Sequence, residues 1–289
     1  MDRLTANFRD IDWRSMTAEE IDALLLARLA RYEMAITAHG GKRPKREGYI
    51  MEYIALMSTL READRLAQKG KKRRKVVRNG KVYYLPNRHI RRHNARAEEE
   101  LRALQMMILT LEFPPVKYRT AVVTTDAGKK RVLVKQDFYP WRILHHAILL
   151  AVGRKVYASL IDATFSCIKG KGLHYGVKLL RKQFRKHKDY RWFAKGDFKK
   201  FYHSIRHSLI EEELSTLFKD KAFIELIRLV LFFYMCEDQI LQELEYEHQL
   251  TQRVAHWCCY EPNDRQLGGQ TIRPPNGVST ATISLSAVL

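Results

Sequence analysis

Residues 17–38 carry the feature that most constrains this chain, a helix written with its own start and stop signals. Thr17-Ala18-Glu19-Glu20 is a capping-box pattern. In such a box the Thr hydroxyl accepts from the Glu20 N–H and the Glu20 carboxylate accepts from the Thr17 N–H. Ile21, Leu24, Leu25, Leu29 and Met34 then recur at helical spacing, and Gly40-Gly41 supplies the stop. A second helix is expected from about Arg46 to Gln68, with Tyr49, Tyr53, Leu56 and Leu60 on one side.

Residues 69–96 are the most basic stretch. Lys71-Lys72-Arg73-Arg74-Lys75 leads into Val76-Val77-Arg78-Asn79-Gly80-Lys81-Val82-Tyr83-Tyr84-Leu85. Asn79-Gly80 between two β-prone runs is a hairpin signal, because both residues tolerate the left-handed conformation that a tight hairpin turn needs. Arg88, His89, Arg91, Arg92 and His93 follow. Two readings stand: a basic ribbon against a nucleic-acid backbone, or a solvated loop.

The next periodic segment, residues 95–112, predicts a helix with Leu101, Leu104, Met107, Ile108 and Leu111 on its apolar side. Tyr118–Thr124 and Lys130–Gln136 read as an antiparallel hairpin turning through Asp126-Ala127-Gly128-Lys129. Pro140 introduces a helix over Trp141–Val152, and further helices are expected over His174–His187, Ser208–Phe218 and Lys221–Tyr246. The segment Arg191–Phe198 is strand-like, and the chain after Glu261 is loop-like. No internal repeat or low-complexity tract occurs.

Of the 289 residues, 52 are Lys or Arg and 32 are Asp or Glu, a formal net charge of +20. Such a surplus calls for an acidic partner, and nucleic acid is the commonest, since each cation seated on a phosphate releases counterions. The rival is a ribosomal-type or merely basic surface. A hydrophobic share of 46% with 29% charged residues places the chain among globular proteins rather than disordered ones. The N-terminus has no apolar signal region, and the longest apolar run, Leu229–Cys236, is too short to span a bilayer. The four cysteines, Cys167, Cys236, Cys258 and Cys259, form no disulfide framework. A reducing, cytoplasmic location and no membrane partner are the expectation. Cys258 and Cys259 lie near His248 and His256, but without a C-x-x-C pair they make a poor zinc site.

Asp197 ends the aromatic segment Tyr190-Arg191-Trp192-Phe193-Ala194 and is flanked by Lys195, Lys199 and Lys200. Its plain reading is a cap for the following turn. Its chemical reading is a metal ligand, because nucleotidyl transfer uses carboxylates to hold Mg²⁺ ions that activate a hydroxyl and steady the leaving pyrophosphate.

The block Asp197-Phe198-Lys199-Lys200-Phe201-Tyr202-His203-Ser204-Ile205-Arg206-His207-Ser208-Leu209 resembles the first palm motif of bacterial reverse transcriptases of the retron, group II intron and diversity-generating retroelement type. Three upstream stretches resemble that family in order. Gly128–Val134 is similar to its fingers hairpin, Phe138–Ile148 to the helix after it, and Thr164–His174 to a Gly-rich, basic block. The resemblance covers roughly residues 95–215. It implies an α+β fold, helix-rich, with polymerase right-hand fingers and a partial palm. The helical N-terminal extension with its basic hairpin would occupy residues 1–94, and fingers and incomplete palm residues 95–289.

The resemblance also assigns roles. Asp197 would be catalytic and a Mg²⁺ ligand, and the backbone carbonyl of Phe198 a second ligand. Lys130, Arg131 and Arg142 would grip the triphosphate, where guanidinium forks suit phosphate oxygens. Tyr202 would pack under the incoming sugar and exclude a 2′-hydroxyl; its alternative is a core aromatic. Lys169, Gly170, Lys171 and Gly172 would approach the template backbone, the glycines permitting close contact. This Gly-rich stretch lacks the spacing of an NTPase P-loop. His145 and His146 read as structural residues on a packed helix. The implied partners are an RNA template, a DNA or RNA primer and deoxynucleoside triphosphates.

The pattern fails in one place. The family carries a later Asp-Asp pair, and this sequence has none; its last acidic residue is Asp264. Pro275-Asn276-Gly277 is a loose echo of the family's preceding Gly-x-Pro-x-Gly block. Truncation within the palm, or a frameshift, would account for this. The expectation is RNA-directed DNA polymerase by family, inactive as this polypeptide alone. The alternative is a non-catalytic, maturase-like RNA-binding remnant.

Overall fold

Thr17 caps the first helix, α1 (Ala18–Ala38), through both halves of the expected box. The Glu20 N–H lies 3.3 Å from Thr17 Oγ1, and the Thr17 N–H lies 2.7 Å from Glu20 Oε2. The helix ends in a Schellman arrangement. Gly41 N–H donates to Ile36 O and Gly40 N–H to Thr37 O, with both glycines at positive φ. The computed structural model describes residues 2–114, 119–124, 128, 130–135, 137–165, 168–188 and 207–233.

The chain forms two compact units, Met1–Gly153 with Ser215–Ile240, and Arg154–Leu214 with Leu241–Leu289. In the first unit the buried side of α1 is Ile21, Leu25, Arg28 and Ile36. Met34, expected on that side, is 65% exposed, whereas the cation Arg28 is buried.

The single helix expected over residues 46–68 is two: α2 (Ile50–Ala55) and α3 (Met57–Gln68). Tyr49 enters the left-handed region at φ 61, and Leu56 is extended at ψ 132, which breaks the run. Tertiary partners set the boundary. The Met51 N–H donates to Asp220 Oδ2 at 3.0 Å, which starts α2 well after Arg46. Ile54, Ala55, Leu60, Ala63 and Ala67 are fully buried, whereas Tyr53, expected on the apolar side, is 43% exposed.

β1 (Arg73–Arg78) and β2 (Lys81–Pro86) form the expected hairpin, with Arg78 opposite Lys81. Asn79 and Gly80 take φ of 49° and 73°, the left-handed pair of a two-residue turn. A short helix not foreseen, α4 (Arg88–Asn94), follows; the Asn87 side chain caps it by accepting from the His89 N–H. α5 (Ala97–Thr110) buries Leu101, Leu104 and Ile108 as expected, and packs on α2 and α3. The first unit therefore continues through residue 94 without a break.

β3 (Arg119–Thr124) and β4 (Lys130–Lys135) are the second antiparallel hairpin. Phe138–Arg142 is an irregular turn containing a cis Tyr139–Pro140 bond, and α6 (Ile143–Ser159) begins directly after it. α7 (Leu173–Lys186), α8 (His207–Leu217) and α9 (Lys221–Phe233) complete the described elements. The segment before α2 is laced to the turn before α9. Glu47 N–H donates to Leu217 O, and Lys219 N–H to Glu47 O, each at 2.9 Å. Helices with small antiparallel sheets make this an α+β chain. No helix among the described residues is long and apolar enough to cross a membrane.

Candidate nucleotide and nucleic-acid sites

The β3–β4 hairpin places Lys130 opposite Thr124 and Arg131 opposite Val123. β-Branched residues on both strands, among them Val122 opposite Val132, favour pairing as strands. The Lys130 side chain is exposed. Arg142 closes the turn that follows, and its Nε donates to Ala67 O at 3.2 Å. Ala67 lies in the last turn of α3, so a guanidinium there also offsets the negative end of the helix. Arg142 thus has a structural contact, independent of any phosphate. On α6, His145 is buried and His146 half-buried, in keeping with packed, structural histidines. Burial, then the charges of His146 and Arg142, push His145 down to about 3, so it is neutral at physiological pH.

In the second unit, Ile168 and Lys171 form an isolated bridge around Lys169 and Gly170. Gly170 has φ 82, which an L side chain adopts only with strain. Lys169 is exposed. Lys171 Nζ lies 3.9 Å from Asp162 Oδ1 and 5.5 Å from the centre of the Tyr175 ring. Gly172 is the N-cap of α7 and accepts from the Gly176 N–H. The four residues singled out from the sequence are therefore brought together in one turn at a helix N-terminus. Lys130, Arg131 and Arg142 belong to the first unit.

Asp197, Phe198 and Tyr202 lie outside the described residues, as do Cys167, Cys236, Cys258 and Cys259. Among the described residues, no group of three or more His, Cys, Asp or Glu is arranged to hold a metal ion.

Two polar clusters in the first unit are not foreseen by the sequence. His93, grouped there with the basic ribbon, is only 2% exposed. Its Nε2 meets Asp64 Oδ1 at 3.0 Å and its Nδ1 meets Glu100 Oε2 at 2.5 Å. Gln68 donates to both Asp64 oxygens and to Asn94. The second cluster explains the burial of Arg28. Its Nε donates to Glu52 Oε1 at 2.9 Å, and Nη1 to the carbonyls of Arg3 and Ala6 at 2.7 and 2.9 Å. Neither cluster has a local motif; the only hint is a charged residue where a helical period calls for an apolar one.

No protein-family model matches this chain, and no curated protein sequence matches it.

Proposed function

We propose that this chain carries the fingers and first palm segment of an RNA-directed DNA polymerase, a cytoplasmic protein working on an RNA template, a DNA or RNA primer and deoxynucleoside triphosphates. The observation that carries the reading is the order of four sequence blocks ending in Asp197-Phe198-Lys199-Lys200-Phe201-Tyr202. The hairpin β3–β4, the Pro140 turn and α6 supply elements of the kind those blocks call for, in the same order. The bend at Gly170, with Lys169 and Lys171 beside it, suits a backbone approaching a phosphate.

The donor set limits what the chain does alone. Mg²⁺ requires near-octahedral oxygen coordination, usually one or two carboxylates together with waters and substrate phosphates. Asp197 and the Phe198 carbonyl supply one carboxylate and one neutral oxygen. A two-ion clamp needs more, and the sequence has no Asp-Asp pair to complete it. Lys130, Arg131 and Arg142 are proposed to bind and orient the triphosphate, Tyr202 to contact the sugar, and Lys169–Gly172 the template.

The same missing pair, with the +20 charge, favours a second reading: RNA binding without catalysis. Primer extension on an RNA template by purified residues 1–289 separates the two. No extension is expected, together with RNA binding that weakens steeply with salt. Extension that Asp197→Ala abolishes would overturn the inactivity; a flat salt response would overturn the nucleic-acid reading altogether.

A further inference from the structure

We infer that the β1–β2 hairpin is an arm that binds single-stranded nucleic acid, taking phosphates on its cations and bases on its tyrosines. The arm lies before residue 95, outside the stretch that resembles a polymerase, and its role does not depend on that likeness.

The charge around the arm has one sign. Residues 65–97 contain thirteen Lys and Arg and no Asp or Glu. Eleven of these lie between Lys69 and Arg92, and all eleven are exposed. Among the described residues, the ion pairs of this region fall on Arg65, His93 and Arg96 and on none of the eleven. Five of the eleven, Arg73, Arg74, Lys75, Arg78 and Lys81, lie on the twelve-residue pair of strands, where like charges repel one another and a polyanion relieves that repulsion.

Register distributes the charges. Residues two apart on a strand and residues directly opposite share a face. One face holds Arg73, Lys75, Val77, Val82, Tyr84 and Pro86; the other holds Arg74, Val76, Arg78, Lys81, Tyr83 and Leu85. Each face thus combines cations, two aliphatic residues and a tyrosine. Tyr84 is 64% exposed and Tyr83 46%. A bare two-stranded hairpin is marginal in water, and one with apolar groups uncovered on both faces lacks the buried face that usually holds it.

This pattern discriminates among polyanions. An anionic membrane takes an element with one apolar and one basic face. Here both faces are mixed. Single-stranded nucleic acid offers phosphates and unstacked bases together, and bases stack on exposed aromatics whatever their sequence. Strands of six residues span about 20 Å, roughly the length of six nucleotides.

The arm is held at its root. The Asn87 N–H donates to Lys72 O at 3.0 Å where the strands leave the body. Just beyond, His93 joins α4 to Asp64 on α3 and to Glu100 on α5. A positioned arm loses less freedom on binding than a free tail.

Fluorescence anisotropy with a labelled oligouridine of about 20 nucleotides tests this on the full chain. Replacing Arg73, Arg74, Lys75 and Arg78 by Ala is expected to weaken binding at least tenfold. The salt slope should flatten by about 0.7 for each phosphate no longer neutralised. Tyr83→Ala with Tyr84→Ala is expected to weaken binding about tenfold and leave the salt slope unchanged. Exchanging the two arginines Arg73 and Arg74 for lysines retains both affinity and slope. Unaltered far-ultraviolet dichroism in each variant excludes unfolding as the cause. Unchanged affinity in both alanine variants overturns the proposal. So does equal binding of duplex and single strand by the wild type and the tyrosine variant, or arm-dependent binding to phosphatidylserine vesicles that oligouridine does not compete away.

Discussion

His93 Nε2 stands 3.0 Å from Asp64 Oδ1, and this contact fastens the helix after the basic hairpin to the helix before it. Glu100 engages the opposite ring nitrogen at 2.5 Å. Two carboxylates ask for two N–H donors, so the ring is an imidazolium here. Burial opposes that charge, but the hydrogen bonds and charges of Asp64 and Glu100 outweigh it and raise the His93 pKa above 6.5.

A histidine with a raised folded pKa contributes stability that is complete below the unfolded value near 6.5. That contribution fades as pH rises through the folded value. Urea unfolding of wild type and His93→Gln is expected to show a large difference at about pH 5.5 and a smaller one at about pH 8.5. The same difference at every pH would count against the imidazolium.

Arg28 and Glu52 form a buried pair, with side chains only 5% and 3% exposed. Removing one partner strands the other charge, at a cost of about 3–5 kcal/mol. Arg28→Met alone and Glu52→Leu alone are each expected to lose that much in denaturant titration. The double substitution loses distinctly less, because no unpaired charge remains. Additive losses would sink this reading. Burial and then the Asp220 charge raise Glu52 to about 6, against the pull of Arg28. Its folded pKa exceeds the unfolded value, so its contribution is full below about pH 4.5 and declines as pH rises through about 6.

Asp220 caps two helices with one carboxylate. Oδ2 accepts from the Met51 N–H of α2 at 3.0 Å and Oδ1 from the Phe223 N–H of α9 at 3.2 Å. A single cap is worth about 1 kcal/mol, so Asp220→Ala is expected to cost about 2 kcal/mol or more. Asp220→Asn should recover part of that, since one amide oxygen still accepts. Hydrogen exchange at Met51 and Phe223 should quicken together; quickening at only one would refute the shared cap.

What could be read in advance was whatever a few neighbouring residues decide. Thr17, Glu20 and Gly40-Gly41 fixed both ends of α1, and Asn79-Gly80 fixed the turn and register of the hairpin. The late start of α2 at Ile50 was not legible, because Asp220, far along the chain, caps it. His93 looked like one more cation in a basic run. Its burial depends on carboxylates 29 residues before and seven after it, which no local spacing encodes. Arg28 broke an apolar period for the same reason: its partners are backbone carbonyls at Arg3 and Ala6 and a carboxylate on another helix. For the candidate site, the sequence located the Lys169–Gly172 turn and the Lys130–Arg131 strand start correctly as elements, while Arg142 gained a helix-end contact that its spacing did not announce.

Gly176 owes its place in α7 to Phe165. A Cβ built on Gly176 would lie 2.7 Å from a Phe165 ring carbon, closer than real Cβ contacts come. The clash is with an aromatic ring rather than the end of a flexible chain, so relief requires the ring to shift. Gly176→Ala is therefore expected to destabilise the second unit by about 1–3 kcal/mol, although alanine favours helices by up to about 1 kcal/mol over glycine. Phe165→Leu in the same chain should relieve the clash and turn the substitution neutral or stabilising. Thermal unfolding of the two single variants and the double variant measures this. If Gly176→Ala stabilises the chain while Phe165 is intact, helix propensity has won and the ring does not enforce the glycine.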